Sequence, residues 1–407
     1  MMIFARSISK TAIPLLTAVA MAAVMPVARA QEPTPVPVSL VVPLSGIYAR
    51  GGQLEKAGAE LAVEEINASG GIAALNGARI ELKVHDAGES VESAVQAAAR
   101  TMDNDKPVAG VGAWVSSFTL GVTEVSERRK VPWLTLSFAD AITGRGFQYV
   151  YQTSPVSSVF AAKGLAGFKA LMESGGRKAA TVGLLGDSTA AVKPFMDAVR
   201  TLIAPKLGMT VVVDETWTSP LADAAVLSQK VAAAAPDFVF VGAASVSDAQ
   251  QILQSNRGFG INSVHLAGGG YAVMPEFART VGADIVDGLM SIVSAHPLAA
   301  SRDLEKRFAE RTGEPFMTID SLAGYYNIWI VKAAIEAAGK AEPEAVNAAL
   351  KTLELRDGPA VQALGVESIS FDETGRRRGA LPVIVQWQDG VPVTVFPLDI
   401  ATAKARP

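Results

Sequence analysis

The 407-residue sequence contains no cysteine and only three histidines. The first absence excludes a disulfide framework and a lipid-bearing cysteine behind an export signal, and a chain of this size manages without disulfides because its cores are large enough. His85, His265 and His296 lie far apart without ligand spacing, so no metal or other cofactor is implied. A charge excess is missing too. With 36 Lys and Arg against 40 Asp and Glu, the formal net charge is −4, which points neither to nucleic acid nor to an anionic membrane surface. Beyond the first thirty residues, charge interrupts every apolar run, so no segment reads as a membrane span.

What is present begins with an export pattern. Arg6 and Lys10 precede an apolar stretch from about Thr11 to Val24, and Ala28-Arg29-Ala30 follows. This reads as a signal peptide (1–30) cut after Ala30, since the apolar run falls short of the roughly 20 residues a spanning helix needs and contains Pro14. The protein after cleavage is expected to be soluble and exported.

The roughly 377 residues that remain exceed the usual size of one core, so two lobes are expected. Short apolar strands alternate with helical periodicity along the chain. Residues 79–86 alternate polar and apolar, 89–102 read as a helix, 108–112 and 131–136 as strands, and 117–129 as the helix between them. The alternation restarts after Gln152-Thr153-Ser154-Pro155, with strands at 180–185, 210–214, 238–241 and 289–294. Such β-α-β-α order marks parallel sheets with right-handed crossovers. Near the end, 368–372 and 382–397 read as antiparallel strands, with Asp389-Gly390 as a hairpin turn.

The stretch Ser39–Gly71, SLVVPLSGIYARGGQLEKAGAELAVEEINASGG, carries the most information. An apolar strand, Leu40 to Val42, runs through a Pro/Gly turn into an amphipathic helix that places Leu54, Leu61 and Ile66 on one core-facing side and stops at Gly70-Gly71. Pro43 to Gly46, Gly52-Gln53 and Gly58 to Gly71 together resemble the opening of extracellular ligand-binding proteins of the leucine/isoleucine/valine-binding type.

That resemblance implies an α/β fold: two Rossmann-like lobes with parallel central sheets joined by a three-strand hinge, the type I periplasmic binding fold. It places an N-terminal lobe at 38–153 plus 295–357 and a C-terminal lobe at 154–294 plus 358–400, with a flexible linker at 31–37 and a tail at 401–407. It also implies a periplasmic amino-acid transport component of an ABC transporter, a monomer that carries a small amino acid, branched-chain or related, to an inner-membrane permease. Alternatives are an ammonium-free organic or aromatic carboxylate as ligand, or a sensor module reporting to a signalling receptor.

Ligands of open α/β sheets sit beyond the carboxyl ends of strands, so the turns after strands are where contacts are expected. Ala113-Trp114-Val115-Ser116-Ser117 matches the turn that holds the ligand carboxylate in the resembled family; alternatively Ser116 or Ser117 only caps the next helix. Ser137-Phe138-Ala139-Asp140 matches a second contact segment, altered here by Phe138 and Asp140. Trp114 and Phe138 form an aromatic wall or pack in the core. In the second lobe, Thr189, Ala244, Gly269 and Tyr271 occupy contact positions, but small residues stand where the family's amino-acid binders place aromatics. No carboxylate lies near Gly268–Tyr271 for a ligand ammonium, leaving Asp140, Asp187 and Asp248 as substitutes or a ligand without an ammonium.

Other chemistries find less support. Gly186-Asp187-Ser188-Thr189-Ala190 lacks the final glycine of a nucleophile elbow. Gly110-Val111-Gly112 begins a dinucleotide fingerprint that Val115 breaks. Arg376-Arg377-Arg378 reads as a solvated hairpin end.

Overall fold

A computed structural model describes residues 1–3, 33–189 and 192–406. The expected export signal beyond Ile3, its cleavage point after Ala30, and Ala190 lie outside the described residues. The strands are β1 (Val36–Val42), β2 (Ile80–Asp86), β3 (Ala109–Gly112), β4 (Trp133–Thr135), β5 (Val150–Gln152), β6 (Thr181–Asp187), β7 (Thr210–Trp217), β8 (Phe238–Gly242), β9 (Val264–Gly268), β10 (Met290–Val293), β11 (Val383–Gln388) and β12 (Val391–Phe396).

Two sheets result. The first has the order β2-β1-β3-β4-β5, with every pairing parallel. The second runs β12-β11-β10-β9-β8-β6-β7, so β7-β6-β8-β9-β10 repeats the order of the first sheet, again parallel. An antiparallel hairpin, β11 and β12, is added at its edge, turning at Asp389 (φ 54°) and Gly390 (φ 84°). In each sheet the strand order reverses between the first strand and its inner neighbour, which creates a crevice at the strands' carboxyl ends.

Burial explains these strands. Residues 38–42 of β1 and all of β8 are buried or nearly so, which suits strands covered by helices on both faces. On one face of the first sheet, helix Ala49–Ala68 lies against helix Ile319–Ala338. They cross closely because Gly58 and Gly324 carry no side chain. A Cβ on Gly58 would fall 1.8 Å from the Ser321 carbonyl oxygen, and one on Gly324 1.9 Å from that of Glu55. The helices Val91–Asn104 and Ser116–Arg129 cover the other face.

The expected helix face is split. Leu61 and Ile66 enter the first core, but Leu54 packs in the second lobe's cluster with Tyr271 and Met274, because the first turns of its helix overhang the sheet end and face the cleft.

Several expected boundaries move. Val36 already pairs in β1, so the 31–37 linker ends before it. Residues 358–378 pack with the first lobe and not the second: Ala360, Val361, Ala363, Ile369 and Phe371 fill its core, and Gln152 bonds to Gly375 and Arg377 through the backbone. The last crossing therefore lies between Arg378 and Val383, not at Asp357-Gly358-Pro359. The 401–407 tail, through Arg406, runs along the hairpin, with Thr402 N donating to Thr394 O and Arg406 N to the Gln386 side chain. Residues 368–372 make isolated bridges rather than a strand. Arg377 is buried, its Nε donating to Thr153 O at 2.6 Å, and Arg376 donates to Thr143 and Asp140, so these two tie down the hinge while Arg378 alone faces water.

Candidate functional site

The crevices of the two sheets face each other across a cavity of about 600 Å³. Its walls are the segments that follow strands: Ile47 and Tyr48 after β1, Trp114 to Ser116 after β3, Phe138 after β4, Ala243 to Ser247 after β8, and Gly269 to Tyr271 after β9. Helix Ile319–Ala338 adds Ile319 and Asp320 from its first turn.

Trp114 organises the first-lobe wall. It sits at φ 67°, a left-handed conformation that a bulky residue adopts only under constraint, at a cost of order 1–3 kcal/mol. Two contacts hold it there. Its indole Nε1 donates to Asp320 Oδ1 at 2.8 Å, and its carbonyl accepts from Ser137 Oγ at 2.9 Å. Gly51 leaves room for the ring, since a Cβ there would lie 2.2 Å from the indole. Tyr48 packs at 5.9 Å between ring centroids.

The helix that begins at Ser116 has no side-chain cap and no acidic residue in its first turn. Capping by Ser116 or Ser117 is therefore not what these serines do. Ser116 Oγ accepts from Ala139 N at 3.3 Å and lines the cavity. Uncapped first-turn N–H groups beside a hydroxyl form an anion-binding arrangement.

Of the charged groups at the cavity, Arg50 and Glu276 are ion-paired, whereas Asp320 is held by neutral donors. Arg50 donates through Nε to Glu276 and through its terminal nitrogens to Glu314, both at 2.8 Å. Asp320 also accepts from Thr318 Oγ1. Burial pushes its carboxyl up to about 6, the Trp114 and Thr318 bonds and the nearby Arg50 opposing the rise. Glu55, fully buried behind it, is raised well above the usual range by burial and by Asp320. Tyr271 presents its ring, for its hydroxyl is spent on Val241 O at 2.8 Å.

Of the residues singled out by sequence, Trp114, Ser116, Phe138, Ala244, Gly269 and Tyr271 line the cavity, whereas Ser117, Ser137, Ala139, Asp140 and Thr189 do not. Ser137 is buried beneath Trp114. Asp140 accepts from Ser158 N at 3.0 Å and so caps helix Ser157–Ser174. Thr189 N donates to Asp187, whose other oxygen takes Ala244 N. Asp248 is held by Trp217 Nε1 and Leu221 N. All three acids suggested for a ligand ammonium thus serve the protein's own donors, and none lines the cavity. Tyr48, Arg50, Phe160, Phe195, Glu276 and Asp320 were missed. Of these, Tyr48 and Arg50 sat in the most informative segment, just after its strand.

The sequence model of the family described as periplasmic binding protein matches residues 35–390. A Leu/Ile/Val-binding protein homolog 8 of Brucella melitensis biotype 1 is 27% identical over 375 residues, covering 89% of this chain and 91% of that protein. The fold resembles a branched-chain amino acid substrate-binding protein, LivJ, of Streptococcus pneumoniae in complex with isoleucine (TM-score 0.76, 20% identity, 89% of this chain and 100% of that one). It also resembles a solute-binding protein of Rhodopseudomonas palustris in complex with benzoate (TM-score 0.71, 17% identity, 91% and 97%). At these identities the two structures speak for the fold alone.

Proposed function

This chain belongs to the periplasmic binding protein family, and from that premise we propose that it captures a small carboxylate-bearing solute, an amino acid or an organic acid, in the periplasm and hands it to an inner-membrane ABC permease. The family consists of substrate-binding proteins and not enzymes, which sets aside hydrolase chemistry at Asp187–Thr189. The observation that carries the proposal is the cavity where two sheets of the same strand order bring their crevices face to face.

Solute first meets the Trp114–Ser116 wall, where the uncapped helix takes its carboxylate. The second lobe then holds the closed arrangement seen here, in which Leu54 and Phe316 pack in one cluster with Tyr271 and Trp387. A solute that binds the closed form better shifts the equilibrium toward it, and the closed form is what a permease recognises.

The test is calorimetric titration of the chain from Gln31 with amino acids and organic acids, repeated on Ser116→Ala and on Ala244→Trp, which fills the cavity. A solute that binds the parent and loses affinity in both variants supports the reading. Undiminished binding in both refutes it.

A further inference from the structure

The cavity's lining narrows the solute class. Six aromatic rings face it: Tyr48, Trp114 and Phe138 from the first lobe, Phe160, Phe195 and Tyr271 from the second. They form continuous walls, with Phe138 and Phe160 meeting across the lobes at 5.3 Å and Phe195 following at 5.9 Å from Phe160. Flat solutes find offset or edge-on partners on such walls. The volume, about 600 Å³, equals that of about twenty waters, more than a branched-chain amino acid displaces.

Charge points the same way. Among the described residues, the cavity is lined by two carboxylates, Glu276 and Asp320, and one cation, Arg50. Glu276 is taken by Arg50, and Asp320 already accepts from Trp114 and Thr318. An ammonium brought in here meets Glu276 already paired with Arg50 and Asp320 already fixed by two donors, one of them the Trp114 indole, and gains a counter-charge only by crowding or displacing those bonds. A carboxylate, in contrast, has the uncapped N-terminus of helix Ser116–Arg129 and the Ser116 hydroxyl.

We infer that the solute is an aromatic carboxylic acid without an ammonium group, its ring between the aromatic walls of the two lobes and its carboxylate at the Ser116 helix N-terminus. The inference rests on the solute-binding role proposed above. It makes Phe195 and Phe160 specificity-determining residues: they supply from the second lobe the rings that the contact turns after β6 and β8 lack.

The experiment uses pairs that differ only by the ammonium: 3-phenylpropanoate with L-phenylalanine and 4-methylpentanoate with L-leucine, with benzoate added, titrated calorimetrically into protein freed of carried-over solute. The expected result is that 3-phenylpropanoate or benzoate binds at least about tenfold tighter than either amino acid, and that Phe195→Ala weakens the aromatic acid more than it weakens 4-methylpentanoate. An amino acid that binds as tightly as its deaminated partner overturns the inference. If Asp320→Asn then abolishes that binding, the solute-binding reading stands with Asp320 as the ammonium site. Silence from all five acids overturns the inference as well, and a panel of neutral and cationic solutes then decides whether the cavity binds a solute at all. Tight binding that ignores both Ser116→Ala and Ala244→Trp removes the cavity, and with it both readings.

Discussion

Arg50 on the first lobe joins Glu276 on the second, Nε lying 3.1 Å from Oε2, while its terminal nitrogens hold Glu314 of its own lobe. One guanidinium therefore spans the cleft at the cavity wall. Glu314 anchors it in a fork geometry, so the bond to Glu276 is made by a side chain already ordered.

Glu276→Gln should loosen closure without disturbing the Arg50–Glu314 pair. The expected effect is a solute dissociation rate raised by roughly two- to tenfold with association little changed, because the bond across the cleft holds the closed form after capture. Because Arg50 and Glu276 are partly exposed, the difference between parent and variant should shrink in high salt. Stopped-flow fluorescence at two ionic strengths measures both, and equal rates at low salt would deny the pair any role in closure.

Gly51→Ala should displace Trp114. The new Cβ would lie 2.2 Å from the indole, against the same edge whose Nε1 donates to Asp320. Overpacking of this kind costs about 1–3 kcal/mol, and solute affinity should fall along with stability. Urea unfolding and calorimetric titration of the same variant report the two losses.

Asp320 sets a pH dependence. Its carboxyl, ordinarily near 3.8, lies at about 6 in the folded chain because burial outweighs its two donors and Arg50. The folded state thus holds the proton more tightly than the unfolded state. The stability this contributes is full below about pH 4 and is lost as pH rises through about 6, a change of order 3 kcal/mol. Asp320→Asn removes the titration, so the parent should lose stability relative to the variant across that window in urea unfolding series. A constant difference would mean that Asp320 does not titrate there.

Gly324→Ala and Gly258→Ala should act in opposite directions. The first drives a Cβ to 1.9 Å from the Glu55 carbonyl at the crossing of two core helices, where neither backbone can yield, and should cost about 1–3 kcal/mol or more. The second, at the exposed end of helix Val246–Gly258, meets nothing within 4 Å and should stabilise by about 0.4–1 kcal/mol by restricting the unfolded chain. Thermal unfolding of the pair tests the helix crossing directly.

Much of the fold was legible because its signals are local. β1, its turn and helix Ala49–Ala68 follow from an apolar run, a Pro/Gly turn and helical spacing, and the Asp389-Gly390 hairpin from turn chemistry. Half the site was legible for the same reason, since Trp114, Ser116 and Phe138 stand in turns after strands. Residues that act from helices were not. Asp320 begins a helix whose sequence reads as plain core, and Phe160 and Phe195 stand on second-lobe helices, where an aromatic ordinarily means packing.

The amino-acid sequence by itself determined the order of strands and helices, the repeated β-α alternation behind the two lobes and the lack of disulfide or thiolate chemistry, because periodicity, turn residues and composition act over a few positions or over the whole chain at once. Tertiary structure alone decided the partners. Arg50 meets Glu276 across 226 positions and Trp114 meets Asp320 across 206. Whether a charge is free or paired, and whether a ring faces core or cavity, depends on how separated elements dock, and that is set by packing the two sheets' helices rather than by any local pattern.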